Sequence, residues 1–209
     1  MFALVESGSI TSYHKGNRGI QIGDIKHSSD IFTTKWTESE RNTIGIYTVE
    51  IDNTNFKNER WYINTNISYA FGSGKVTGSY GTAAAKAHAD STYTNDDKTN
   101  NLIPEGKDVG DLKAEGLKTV LIRQLKSQVE SLLNKTDWYI TRKAEKSTAI
   151  PSAITTHRDA VRTKQASMCT AITNASDTPA LETLYTFTTD SDGVTTRPLG
   201  KLPSEIPTL

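Results

Sequence analysis

One cysteine, Cys169, in 209 residues rules out an intramolecular disulfide and a thiolate metal site, and a reducing compartment fits best. Net charge is missing too. Lys plus Arg number 24 and Asp plus Glu number 24, so no overall field draws the chain onto a phosphate backbone or an anionic membrane. No apolar run approaches the roughly 18 residues of a membrane helix. The opening residues Met1 to Glu6 lack a basic stretch and a long apolar stretch, so no secretory signal is expected there. Apolar residues are scarce: the 35% counted with Tyr becomes about 38% when Gly replaces Tyr in the count, against roughly 45–50% in an ordinary globular chain. With a mean hydropathy of -0.51, the chain is expected to divide its apolar surface among small units or to share it with a partner.

What is present changes character along the chain. Residues 2–5, 10–13, 19–22, 46–51, 60–63, 67–71 and 75–80 are short β-like runs separated by turns. In Ile46-Tyr47-Thr48-Val49-Glu50-Ile51 the alternation puts Ile46, Thr48 and Glu50 on one face and Tyr47, Val49 and Ile51 on the other. Phe71-Gly72-Ser73-Gly74-Lys75 carries hairpin chemistry. One helix is expected among these runs, with Thr37 as N-cap, Glu40 closing a capping box and Gly45 as the stop. Residues 1–85 therefore predict a small antiparallel β domain. Residues 86–110, with their Thr, Asn, Asp and Lys run at 92–101 and Pro104-Glu105-Gly106, predict a linker or long surface loop.

From residue 111 to 133, Leu117, Val120, Leu121, Leu125, Val129, Leu132 and Leu133 recur at helical spacing. A second helix begins near Pro151, with Ile154, His157, Val161, Met168 and Ile172 on one stripe. The two, joined through residues 136–150, predict an antiparallel helical hairpin spanning 111–190. Asp177-Thr178-Pro179-Ala180 starts a short third helix, Asp190-Ser191-Asp192-Gly193 turns a β-hairpin, and residues 191–209, with Pro198, Pro203 and Pro207, end in an extended arm. The expected class is α+β.

Site chemistry is sparse. Gly72-Ser73-Gly74-Lys75 fails as a phosphate loop because Tyr69 stands where an upstream Gly belongs and Val76 where Ser or Thr belongs. Asp190-Ser191-Asp192-Gly193 fails as a calcium loop because Thr188 and Leu199 occupy ligand positions. His14, His27, His88 and His157 have no metal-ligand spacing, His157 reads as a satisfied structural residue, and Cys169 reads as a buried structural thiol. Glu38 and Glu40, two apart on a helix, do not face each other as a catalytic pair. No enzyme activity, metal or cofactor is expected.

The stretch Leu132-Leu133-Asn134-Lys135-Thr136-Asp137-Trp138, followed by Ile150-Pro151 and by His157-Arg158-Asp159-Ala160-Val161-Arg162, resembles the C-terminal region of bacteriophage tail-fibre assembly chaperones. There a helix ends in Leu-Leu-x-x-Thr-Asp-Trp and a second carries Tyr-Arg-x-x-Leu-Arg, with His157 here standing in place of Tyr. Residues 31–47, a strand, a capped helix, Ile44-Gly45-Ile46 and a strand, are similar to an N-terminal segment of tail-fibre-associated proteins. The two matches span roughly a third of the chain. They imply a non-enzymatic protein that binds the fibre trimer as an assembly chaperone, in the host cytoplasm during assembly and in the virion tail if retained there. A purely structural protein of tail, baseplate or head, interlocked through its arm, is the alternative. The implied partner is a tail-fibre or other virion protein, or a second copy of the chain, and neither nucleic acid nor membrane. The partner-binding residues expected on this reading are Asp137, Trp138, Arg142, Arg158 and Arg162 on the helical hairpin and Leu199, Leu202 and Ile206 on the arm. Trp138 is also expected to plug the hairpin core against Leu132 and Leu133, and Trp36 and Trp61 to fill the β domain.

Overall fold

The computed structural model describes residues 1–207, so Thr208 and Leu209, the last two positions of the expected arm, lie outside the described residues. The chain divides into two compact units, Met1–Ala84 and Ala85–Leu209. Its class is α+β.

In the first unit, β1 (Phe2–Glu6), β2 (Ser9–His14), β5 (Ile46–Asp52), β7 (Ile67–Gly72) and β8 (Lys75–Tyr80) form one sheet in the order β2-β1-β5-β8-β7. The expectation of an antiparallel unit is corrected: β5 and β8 run parallel, Val49 opposite Val76, and the sheet is mixed. The reason is topological. The β7–β8 hairpin lays its second strand against β5 and leaves β7 at the edge, and the long connection from 53 to 66 has the reach for that crossover. The hairpin turn itself is as expected, since Ser73 and Gly74 both sit at positive φ and Gly72 pairs with Lys75. The sheet curls until its outer strands approach, with the Tyr13 and Tyr69 rings 5.0 Å apart.

Alternation along β1 and β5 serves both faces. Ala3, Val5, Val49 and Val76 cluster on one face with Tyr47, Tyr69 and Phe71 against them. Leu4 and Ile46 point the other way, onto Ile20, Ile31, Phe32 and Trp36. The second cluster is closed by the hairpin β3 (Ile20–Ile22) and β4 (Ile25–His27), a 3₁₀ turn Ser29–Phe32 and α1 (Glu38–Thr43). The capping box at α1 forms as its sequence predicts: the Glu40 N–H donates to the Thr37 hydroxyl and the Thr37 N–H to the Glu40 carboxylate. Trp61, ahead of β6 (Tyr62–Ile63), is buried and Trp36 half-buried. A two-residue strand, β9 (Ala84–Ala85), follows.

The second unit starts with ordered structure where a linker was expected. β10 (Ser91–Thr92) pairs with β11 (Leu112–Ala114), and α2 (Asn95–Thr99) lies between them. Polar groups hold this segment in place of an apolar core: Asp97, itself buried, accepts from the Thr94 N–H and from Lys113 Nζ. The expected helix from 111 consequently begins at Leu117, because residues 112–114 are spent in the ladder. α3 (Leu117–Asn134) buries Leu121, Leu125 and Val129, at i, i+4 and i+8. α5 (Ser152–Asn174) buries Ile154, Val161, Met168 and Ile172 and packs on α3. Lys118 Nζ donates to the Thr173 carbonyl at one end and Arg158 to the Leu133 carbonyl at the other, so the two helices are antiparallel. Each such fully buried aliphatic side chain stabilises the unit by about 1.5–3 kcal/mol relative to exposure. Between them α4 (Asp137–Lys146) occupies the expected connection. α6 (Thr178–Tyr185), capped by Asp177, adds Leu181 to the core, and β12 (Thr188–Thr189) and β13 (Thr195–Thr196) form the small hairpin.

Candidate functional site

The site is built where α3 stops. The Leu133 carbonyl, left without a helical partner, accepts from the Thr136 N–H and the Thr136 hydroxyl, both at 2.9 Å, which turns the chain out of α3. Thr136 is buried and Asp137 opens α4 beside it. From α5, nearly two turns in from its start, Arg158 reaches this corner with Nη1 2.8 Å from the Leu133 carbonyl, 2.7 Å from the Thr136 hydroxyl and 2.7 Å from Asp137 Oδ1. The Arg158 side chain is only 8% exposed, whereas that of Asp137 is 49% exposed. Its Nε is buried without an acceptor. Arg158 is therefore an internal clasp, and its expected place among solvated partner-binding arginines is corrected. Thr136 and Asp137 are its receptors, and the spacing from Thr136 to Arg158 is set by α4 and the length of the return.

The clasp presents a surface. Trp138, expected in the hairpin core, is 51% exposed. Its position one residue inside α4 carries it past Leu132 and Leu133, and its ring lies 3.8 Å from the Tyr139 ring, centroid to centroid. Arg142, one turn on, places its guanidinium 4.7 Å from the Trp138 centroid and 5.3 Å from that of Tyr139. The result is an exposed Trp138 against a half-buried Tyr139, the two capped by a cation, on a short helix fixed at its first residue. Tyr139 is the member that sequence reading missed. The signal for it was the aromatic-aromatic-x-x-Arg spacing.

The other expected residues are scattered. Arg162 is half-exposed and pairs with Asp159 of its own helix, at 3.3 Å. Leu199 is buried, its N–H donating to the Leu184 carbonyl at 3.0 Å, so its side chain belongs to the unit's own core and is not offered to a partner. Arg197 lies over the Tyr185 and Phe187 rings and pins the arm there. Leu202 borders a shallow cavity of about 430 Å³ with Ser127, Gln128, Ser131 and Leu132. Ile206 is exposed. The structure thus brings together Asp137, Trp138, Arg142 and Arg158, and leaves the arm residues apart from them.

Elsewhere, His157 is buried as expected, but its Nε2 has no partner, so it is not fully satisfied. Cys169 is half-buried, not fully buried as expected. Among the described residues no cluster of three or more His, Cys, Asp or Glu side chains has the arrangement of a metal site, and no helix is long and apolar enough to cross a membrane. A loop cavity of about 350 Å³ in the first unit is lined by Tyr13, His14, Lys15, Gly16, Asn17 and Arg18. Asp97 is the most perturbed acid: hydrogen bonds from Lys113 and the Thr94 N–H hold it at about 2, below its ordinary 3.8. No protein-family model, no curated protein and no solved structure matches the chain.

Proposed function

We propose that the chain is a non-enzymatic bacteriophage tail-fibre-associated protein that binds the fibre protein as an assembly chaperone through the Trp138–Tyr139–Arg142 surface. The observation that carries this reading is that Trp138 stands exposed, with the half-buried Tyr139 ring against it, on a helix whose orientation is fixed by the buried Arg158. Rigid, partly desolvated Trp, Tyr and Arg are the side chains that dominate protein-binding energetics. The Thr136-Asp137-Trp138 resemblance gains a division of labour from it: Thr136 and Asp137 hold the corner and Trp138 faces outward.

Surface area supports a binding role as well. Counted as separate compact bodies, units of these two lengths would expose on the order of 11,500 Å² together. The chain exposes 13542 Å². The surplus of roughly 2,000 Å² is comparable with what one partner contributes to a large protein–protein interface. The buried Leu199 tells against the alternative of copies interlocked through the arm, since part of the arm is used internally.

The test is quantitative mass spectrometry of purified virions and of infected-cell lysate, measuring this chain against the fibre protein. Recovery bound to fibre protein in lysate, with or without a fixed ratio in virions, is the expected outcome. A fixed ratio in virions without any association with fibre protein would shift the account to a structural role at another site. Absence from both would overturn it.

A further inference from the structure

We propose that α4 docks an acidic protein segment, a partner carboxylate being gripped by Arg142 above the Trp138 and Tyr139 rings. This rests on the partner-binding reading above and adds the partner's chemistry.

Three observations carry it. First, α4 buries none of its own residues, whereas α3, α5 and α6 each contribute to the core. A ten-residue helix is marginal by itself, so α4 stands because the Arg158 clasp holds its start and the left-handed Ser147 closes its end. Its outer surface is left free.

Second, the charge there is lopsided. Asp137 is engaged by Arg158, which leaves Lys135, Arg142, Lys143 and Lys146 against Glu145 in a chain of zero net charge. Among the described residues none of these four cations forms a salt bridge, so with Asp137 engaged their charge is offset on this helix and its lead-in only by Glu145. The helix C-terminus favours Lys143 and Lys146, but not Lys135.

Third, Arg142 is preorganised. Stacking on two rings orients its planar fork, which matches a carboxylate bidentately. Its Nε is already buried without an acceptor, so part of the desolvation that binding imposes is present in the free protein.

A lipid surface fits less well. Trp138 and Arg142 share a face, and the exposed Ile140 lies about 200° around the helix from Trp138, so there is no separate apolar stripe to enter a bilayer. A nucleic acid would need a broader basic field than these cations supply.

The test follows the Trp side-chain N–H signals and the Arg142 Nε–H signal by NMR on the full chain, during titration with a hexaglutamate peptide in about 20 mM salt, low enough to leave charges unscreened. Saturable shifts at Trp138 and Arg142, with Trp36 and Trp61 unmoved, are expected. R142Q is expected to weaken binding roughly tenfold, the effect of removing a charge-assisted bidentate pair, and R142K to restore only part of it. Circular dichroism checks that these variants keep their helices. Should R142Q misfold, K143Q/K146Q replaces it, with a several-fold loss expected. No shift, equal shifts with hexalysine, or larger shifts with a short single-stranded oligonucleotide or with phosphatidylserine vesicles would overturn the proposal. Co-purification of the wild-type chain with fibre protein is measured alongside. Fibre binding without peptide binding sinks this inference alone, and peptide binding without fibre binding sinks the fibre reading.

Discussion

Replacing Arg158 by Met removes the clasp and keeps the aliphatic stem. Two of its hydrogen bonds, to the Leu133 carbonyl and the buried Thr136 hydroxyl, involve a charged donor; because one Nη1 with two N–H bonds serves three acceptors, each is worth about 1.5 kcal/mol, the low end for such bonds. The third, to half-exposed Asp137, contributes under about 1 kcal/mol because water screens it. Both internal acceptors retain another bond with each other, so neither is orphaned. Against these losses, Met relieves the unpartnered Nε, a gain of about 1 kcal/mol. The net expectation is a loss of about 2 kcal/mol, or roughly 5–10 °C in melting temperature for a unit of this size. Urea denaturation followed by circular dichroism measures it. Asp137→Asn, which keeps an acceptor oxygen, is expected to lose only about 0.5 kcal/mol. A change below about 0.5 kcal/mol for R158M, or a D137N loss equal to it, would refute the account of Arg158 as an internal clasp.

Three further outcomes are expected. Asp97 is held at about 2 against an ordinary 3.8, so its folded form prefers the carboxylate; the stability this supplies is complete above about pH 4 and is lost as pH falls toward 2. NMR titration of its carboxyl carbon should show that midpoint, acid unfolding should flatten in D97N over the same window, and an ordinary midpoint would contradict the Lys113 and Thr94 contacts. Leu199→Ala opens a cavity beside a 2% exposed position and is expected to lose about 2–4 kcal/mol, whereas Ile206→Ala stays within about 0.5 kcal/mol; equal effects in calorimetry would refute the inward anchoring of the arm. Gly45→Ala places a Cβ 2.6 Å from the Val5 carbonyl at a φ of +80° and is expected to lose more than about 1 kcal/mol by the same measurement, while a neutral change would refute the described turn into β5.

Local structure was legible where the chain satisfies itself over a few residues. Thr37 and Glu40 announce a capping box, Ser73-Gly74 a turn, and Ile46 to Ile51 the two faces of β5. What was hidden depends on partners distant in sequence. Nothing in β5 says that β8, thirty residues on, will pair with it in parallel. The polar run at 92–101 reads as a linker because its order comes from Asp97 and a lysine sixteen residues away. At the site, composition misled in both directions. Arg158 reads as solvated because arginine seldom is buried, and it is buried because three acceptors meet it at the α3 corner. Trp138 reads as core because it is large and apolar, and it is exposed because it sits on α4, a helix that buries none of its own residues. α4 is short, polar on average and buries none of its residues, so no run of core-type positions marks it as the core helices are marked by theirs.

The central claim is that the Arg158 clasp holds Trp138 outward for a protein partner. Co-expression of the fibre protein with the wild-type chain and with Trp138→Ala, followed by affinity purification, tests it most directly. Trp138 contributes no core packing, so the variant should keep its helical content and melting temperature while fibre protein recovered with it falls at least tenfold, the scale of an interface hot spot. Undiminished recovery of fibre protein with W138A, or a W138A chain that unfolds, would contradict the account.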